Sequence, residues 1–189
     1  MDAIMIALSP EECKSLTKNE LTVKLLKRYP KLQFPFKCYV YMKMNGVPEY
    51  IYDKELKKHN IYLLHPNLAN GRVIGEFTCD KMYTFEYCED SASYDMRVVN
   101  ETGSFTTLLT AMTQDSICKY GKGSTLFGLH ISNFILYKKM LFPTNFTKPC
   151  TGCKKKGTNK CTEEDSYCRA VVLQKGPTSW CYVGELNGQ

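Results

Sequence analysis

No stretch of this 189-residue chain is a continuous apolar run approaching the roughly 20 residues that a spanning helix needs. Residues 1–10 contain Asp2 but no Lys or Arg, so they do not read as a secretory signal. There is no internal repeat, no heptad pattern and only one Trp. These absences argue against a membrane protein, a solenoid and a coiled coil. Apolar residues make up 43% of the chain, enough for a globular core without disulfides. The expectation is one cytoplasmic domain over residues 1–189, in a compartment that keeps thiols reduced. Asn100-Glu101-Thr102 and Asn145-Phe146-Thr147 match the glycosylation pattern and, with no export signal, read as chance.

What is present is an uneven positive charge. The net charge is +6. Residues 14–37 carry seven basic side chains against Glu20 alone, and residues 148–175 carry seven against Glu163, Glu164 and Asp165. The stretch between them is neutral. If the fold joins the two segments, they make a basic face suited to phosphates. Otherwise the lysines simply keep the surface soluble.

Local signals point to many short strands and a few short helices. Ile4 to Leu8 reads as a buried strand. Ser9-Pro10-Glu11-Glu12 then forms a capping box with Pro at the first helical position, opening a helix from Pro10 to about Thr17. Strands are expected over Leu21–Leu26, Cys38–Met42, Arg72–Cys79 (launched by the turn Asn70-Gly71), Phe127–Tyr137 and Trp180–Val183. A weak hairpin is expected around residues 50–64. Short helices are expected over Thr106–Met112 and Gln114–Tyr120, and loop over most of 80–104. The class is α+β, with short flanking helices against a compact, barrel-like central sheet.

Ten cysteines divide into two groups. Cys13, Cys38, Cys79, Cys88, Cys118 and Cys181 are scattered, several within apolar runs, where a free thiol acts as a small hydrophobe. Cys150, Cys153, Cys161 and Cys168 are clustered within residues 148–170. A two-residue spacer puts the first pair on one knuckle turn, and four thiolates satisfy tetrahedral Zn2+. Gly152 and Gly157 allow a tight path, and Lys154, Lys155, Lys156 and Lys160 offset the thiolate charge. This points to a small structural zinc-knuckle insertion. Four free thiols, or two disulfides in an oxidising compartment, are the other readings. Four cysteines leave no open position for a catalytic water.

Three sets of residues together carry a family resemblance. They are Leu16 to Pro30, Gly71-Arg72-Val73-Ile74-Gly75-Glu76-Phe77-Thr78-Cys79-Asp80, and His130-Ile131-Ser132-Asn133 with Pro177-Thr178-Ser179-Trp180-Cys181-Tyr182-Val183. In content and order they resemble the ASCH domain family, bacterial and phage members in particular. The resemblance implies a PUA-like mixed β-barrel that binds RNA or a nucleobase in the cleft beside the barrel. Some members resemble a hydrolase that deacetylates N4-acetylcytidine, and others resemble a ribonuclease. The family signature Gly-x-Lys-x-x-Glu-x-Arg falls here on Asn19, Leu21, Lys24 and Leu26, and all four depart from it. A Leu in place of the Lys has no proton to move and no charge for an oxyanion, so catalysis is not expected.

The nucleic-acid-binding candidates are Lys24, Lys27, Arg28, Tyr29, Glu76, His130, Ser132, Asn133 and Trp180. Lys24, Lys27, Arg28 and Tyr29 form a group suited to phosphate contact and stacking, or else a solvated face. Glu76 points either into the cleft or outward from an alternating strand. His130, between apolar neighbours, reads more readily as a satisfied core residue than as a base. Ser132 and Asn133 suit a base edge or a strand end. Trp180 suits a stacked base or the core. The expected partner is RNA or another single-stranded nucleic acid. The alternative is a non-catalytic, phage-type inhibitor or adaptor that binds a host protein or ribonucleoprotein complex. A retained amidohydrolase or ribonuclease activity ranks behind both.

Overall fold

Ser9 ends one element and begins the next. Its Oγ accepts the Glu12 N–H at 3.2 Å, and the Glu12 carboxylate accepts the Ser9 N–H at 2.8 Å. Both arms of the capping box are therefore made, and α1 (Pro10–Thr17) starts where the sequence places it. The computed structural model describes residues 2–44, 69–88, 95–98, 112–148, 171–184 and 186.

Strand β1 (Asp2–Leu8) precedes that cap. Every side chain from Ala3 to Leu8 is at most 1% exposed, so both faces of β1 are covered. Ile4, Ile6 and Leu8 enter one apolar cluster, and Ala3, Met5 and Ala7 enter another on the opposite face. This two-sided burial explains why the strand reads as an unbroken apolar run rather than an alternation.

The chain continues through β2 (Val23–Leu26), β3 (Phe36–Met42), β4 (Val73–Cys79), β5 (Met82–Cys88) and β6 (Asp95–Val98). It then forms α2 (Gln114–Gly121), β7 (Leu126–His130), β8 (Ser132–Leu141), a short 3-10 turn (Pro143–Asn145), β9 (Thr147–Lys148), β10 (Val171–Val172) and β11 (Trp180–Gly184). Five strands pair in the order β11-β1-β3-β4-β8, with β1 and β3 parallel and the other neighbours antiparallel. Four more pair in the order β2-β7-β5-β6, and β9 with β10 makes a two-stranded ribbon.

The two larger sheets share a core. Leu26, Met82 and Leu129 of the four-stranded sheet meet Ile4, Val40, Ile74 and Phe77 of the five-stranded sheet, with Cys13 and Leu16 of α1 in the same cluster. The far face of the five-stranded sheet packs Met5, Tyr39 and Val183 against Phe146 and Leu173. The far face of the four-stranded sheet packs Val23, Tyr83 and Phe85 against Ile117 of α2.

The class is α+β, as the sequence predicts. The single barrel-like sheet becomes two main sheets with no hydrogen-bonded closure among the described residues. The strand expected over Phe127–Tyr137 divides at Ile131, so β7 and β8 belong to different sheets. The Ile131 N–H bonds to the Thr22 carbonyl at 2.8 Å, which carries the β2–β7 pairing one residue beyond His130 before β8 turns to pair with β4. Residues 82–88 and 95–98 are paired strands where loop was expected. The helix over 114–121 ends one residue beyond the expected Gly121, on Lys122 in the left-handed region at φ 52°. The hairpin expected around 50–64 and nearly all of the helix expected over 106–112 fall outside the described residues, as does the zinc-knuckle segment apart from Lys148.

Candidate functional site

Strand β2 buries Leu25 and Leu26 on opposite faces and then runs out of apolar residues, so Lys27 and Arg28 emerge exposed at its end. On the outer edge of the other main sheet, β11 presents Trp180, Cys181 and Tyr182 half-buried. Lys27, Arg28 and those three residues, with Tyr120 of α2, Lys148 of β9, Thr178 and Ser179, line a cleft of about 530 Å³. The cleft therefore lies where the edge strand of one sheet approaches the end of the edge strand of the other. The two positive segments of the sequence meet here, one through Lys27 and Arg28, the other through Lys148.

Among the described residues the lining holds three cations and no carboxylate. Lys27 Nζ lies 4.7 Å from the centroid of the Tyr120 ring, a cation–π distance. Burial, and secondarily the charge of Glu12, push the Tyr120 hydroxyl pKa up, so it stays protonated. Burial likewise raises the Cys181 thiol, while Lys148 pulls it the other way. The Trp180 and Tyr182 rings are perpendicular, with centroids 5.2 Å apart. The Tyr182 hydroxyl accepts the backbone N–H of Lys31 at 2.8 Å, tying β11 to the loop after β2 across 151 positions of the chain. The site thus offers cationic groups for phosphates and fixed aromatic surface for bases.

Of the residues singled out in the sequence, Lys27, Arg28 and Trp180 line this cleft. Lys24 does not, and its ammonium lies 2.5 Å from Glu12 Oε1 with 17% of the side chain exposed. Tyr29 follows Arg28, is 44% exposed, and sets its ring perpendicular to Phe127 at 5.4 Å.

The other candidates lie elsewhere. Glu76 pairs with Lys37 at 2.9 Å and accepts the Tyr137 hydroxyl at 2.5 Å, on the face of the sheet that also carries Tyr39. Burial and that carboxylate push the Tyr137 pKa up. His130 Nδ1 lies 2.6 Å from Asp80 Oδ1, so His130 is a partly exposed, paired residue rather than a core one. That hydrogen bond lowers the Asp80 pKa. Ser132 Oγ donates to the Thr78 carbonyl at 2.8 Å, and Asn133 takes φ 51° at the start of β8.

The four signature places are equally specific. Asn19 takes φ 60°, a conformation that glycine or asparagine tolerates best. Leu21 and Leu26 are 4% and 1% exposed in the shared core, and Lys24 is committed to Glu12.

Tyr120 and Tyr182 were not singled out in the sequence. Tyr182 had a signal, because alternation along Trp180–Tyr182 puts both aromatics on one face of an edge strand. Tyr120 had none, because its approach to Lys27 is set by how α2 packs. Among the described residues no group of three or more His, Cys, Asp or Glu side chains is arranged to hold a metal. Cys150, Cys153, Cys161 and Cys168 lie outside the described residues. Cys13, Cys38, Cys79 and Cys181 are free thiols, the first three buried, and burial raises the Cys79 pKa to about 12.

No family model and no curated protein matches the chain. Among solved structures it is similar to the crystal structure of ASCH from Zymomonas mobilis, with a TM-score of 0.49 and 12% identity, covering 97% of this chain and 88% of that one. One mutant of ZmASCH from that organism gives a TM-score of 0.49 at 12% identity over 97% and 91% of the two chains. A second mutant gives 0.42 at 13% over 72% and 71%.

Proposed function

We propose that the protein is a non-catalytic binding module for single-stranded nucleic acid, RNA foremost, which it takes up in the cleft between β2 and β11. One observation carries this reading. Lys27, Arg28 and Lys148, drawn from two separate basic segments, line one cleft with Trp180, Tyr182 and Tyr120, and among the described residues no acid lies in the lining. Cations at the rim suit phosphates, and a fixed indole suits a base of any sequence. A retained hydrolytic activity is disfavoured by chemistry. Two signature places are buried leucines, and the lysine at a third is held by Glu12.

The test is affinity for an RNA single strand across a salt series. Each phosphate contact contributes a log–log slope of about −0.7. Lys27→Ala with Arg28→Ala should flatten the slope by roughly 1.4. Lys138→Ala with Lys139→Ala should leave it unchanged, since those exposed β8 lysines are outside the cleft. A parent that binds neither RNA nor DNA at low salt would remove this reading and leave the protein-binding adaptor in its place.

Structural zinc at Cys150, Cys153, Cys161 and Cys168 belongs to the proposal on their spacing alone. Elemental analysis should find close to one zinc per chain, and Cys153→Ser should lower it while the two sheets stay folded. Metal-free protein of undiminished stability would reject zinc without touching the cleft.

A further inference from the structure

We infer that Tyr29 is a second stacking platform outside the cleft, so that the ligand is a strand of at least two nucleotides rather than a lone nucleotide. The inference rests on the nucleic-acid reading of the cleft and extends it. A volume of about 530 Å³ falls among sites that hold one small molecule, roughly 300–1,000 Å³. One nucleotide laid against Trp180 therefore fills it, and the next base has to leave over the rim.

On the β2 side Tyr29 directly follows a lining residue, and two fixed points bracket it. Arg28, directly before it, lines the cleft. Lys31, two residues after it, donates its backbone N–H to the hydroxyl of Tyr182, itself a lining residue. The backbone between them is thus pinned to the cleft, and buried Pro30 leaves it little freedom. The Tyr29 ring is held by its perpendicular contact with Phe127 and is still 44% exposed. A perpendicular contact orients a ring without covering both of its faces. Two other aromatics that follow or line this part of the chain already have a ring face in contact. Lys27 occupies a face of Tyr120, and Phe34 is stacked on Phe36 at 29°.

The test is binding of single-stranded oligouridylates of one to six nucleotides, at one low salt concentration, to the full chain and its variants. Parent affinity should rise sharply from one nucleotide to two or three. Tyr29→Ala should bind the mononucleotide like the parent and the longer strands roughly five-fold or more weakly. Tyr29→Phe, which keeps the ring, should follow the parent. If Tyr29→Ala and the parent give parallel length profiles, the platform is refuted while the cleft reading stands. If the parent binds no member of the series, both fall together. Because Tyr29 is largely at the surface, an unchanged circular dichroism spectrum and melting temperature for Tyr29→Ala will separate lost stacking from lost fold.

Discussion

Phe77→Ala should lower the stability of the protein by about 3–5 kcal/mol, read as a shift of the urea midpoint at unchanged slope. Phe77 is 1% exposed and lies in the core shared by both main sheets. Truncation removes the transfer energy of the ring and leaves a cavity. The surroundings cannot collapse into that cavity, because β4 is paired with β3 on one side and β8 on the other. Met82 and Leu129, on the facing sheet, belong to the same cluster and would lose contacts without gaining others. Ile135→Ala is the matched control. Ile135 is 56% exposed on an edge strand, so its truncation should cost less than about 1 kcal/mol. A Phe77→Ala loss no larger than that of the control would mean that the sheets do not share this core.

Gly75→Ala should be nearly as damaging for the opposite reason. A Cβ built on Gly75 lies 2.3 Å from the carbonyl oxygen of Ile135 and 3.0 Å from the Phe134 ring. The first of these is backbone of the adjacent strand and has no rotamer to adopt. Overpacking in a core costs roughly 1–3 kcal/mol, and a clash that only strand separation relieves belongs at the upper end, about 3 kcal/mol. The damage should be local as well as global, with amide exchange accelerating along β8 before β1. Gly184→Ala makes the comparison, because its Cβ would come to 3.1 Å from the side-chain oxygen of Thr147, which can turn away, and to an ordinary contact of 3.9 Å from the Thr147 carbonyl oxygen. Parental stability for Gly75→Ala would reject the close approach of β4 and β8.

The elements that were legible in the sequence carry their own cause. Ser9 and Glu12 close a capping box within four residues, and Ile4 to Leu8 is apolar on both faces because both faces are buried. The division at Ile131 was not legible. His130, Ile131 and Ser132 continue a run of strand formers, and the change of partner from β2 and β5 to β4 is set by strands far away in the chain. Strand β5 was read as loop because Asp80, Lys81 and Glu86 mask the inward Met82, Tyr83 and Phe85. The site was legible as charge but not as place. Counting lysines marks two basic segments, yet only the pairing of β11 with β1 brings Trp180 round to Arg28. Glu76 looked as good a candidate as Lys27 in the sequence, and His130 read more readily as a core residue than as a base. Pairing partners at Lys37 and Asp80 set them apart, and such partners are invisible without the sheet.

The register of β11 on β1, from Ile6 opposite Trp180 to Asp2 opposite Gly184, has a consequence for the chain as it is made. Strand β1 is made before every other described strand, and β3 soon covers one of its sides. Its other side waits for a strand synthesised after every other described strand. At about 5–20 residues per second, that wait is on the order of ten seconds. For that interval the nascent protein exposes an apolar, hydrogen-bond-hungry border, which any extended segment can occupy. It also has no cleft, because one wall does not yet exist. Ligand capture therefore reports that β11 has been made and paired, and translation stalled before Trp180 yields a product that is both sticky and unable to bind.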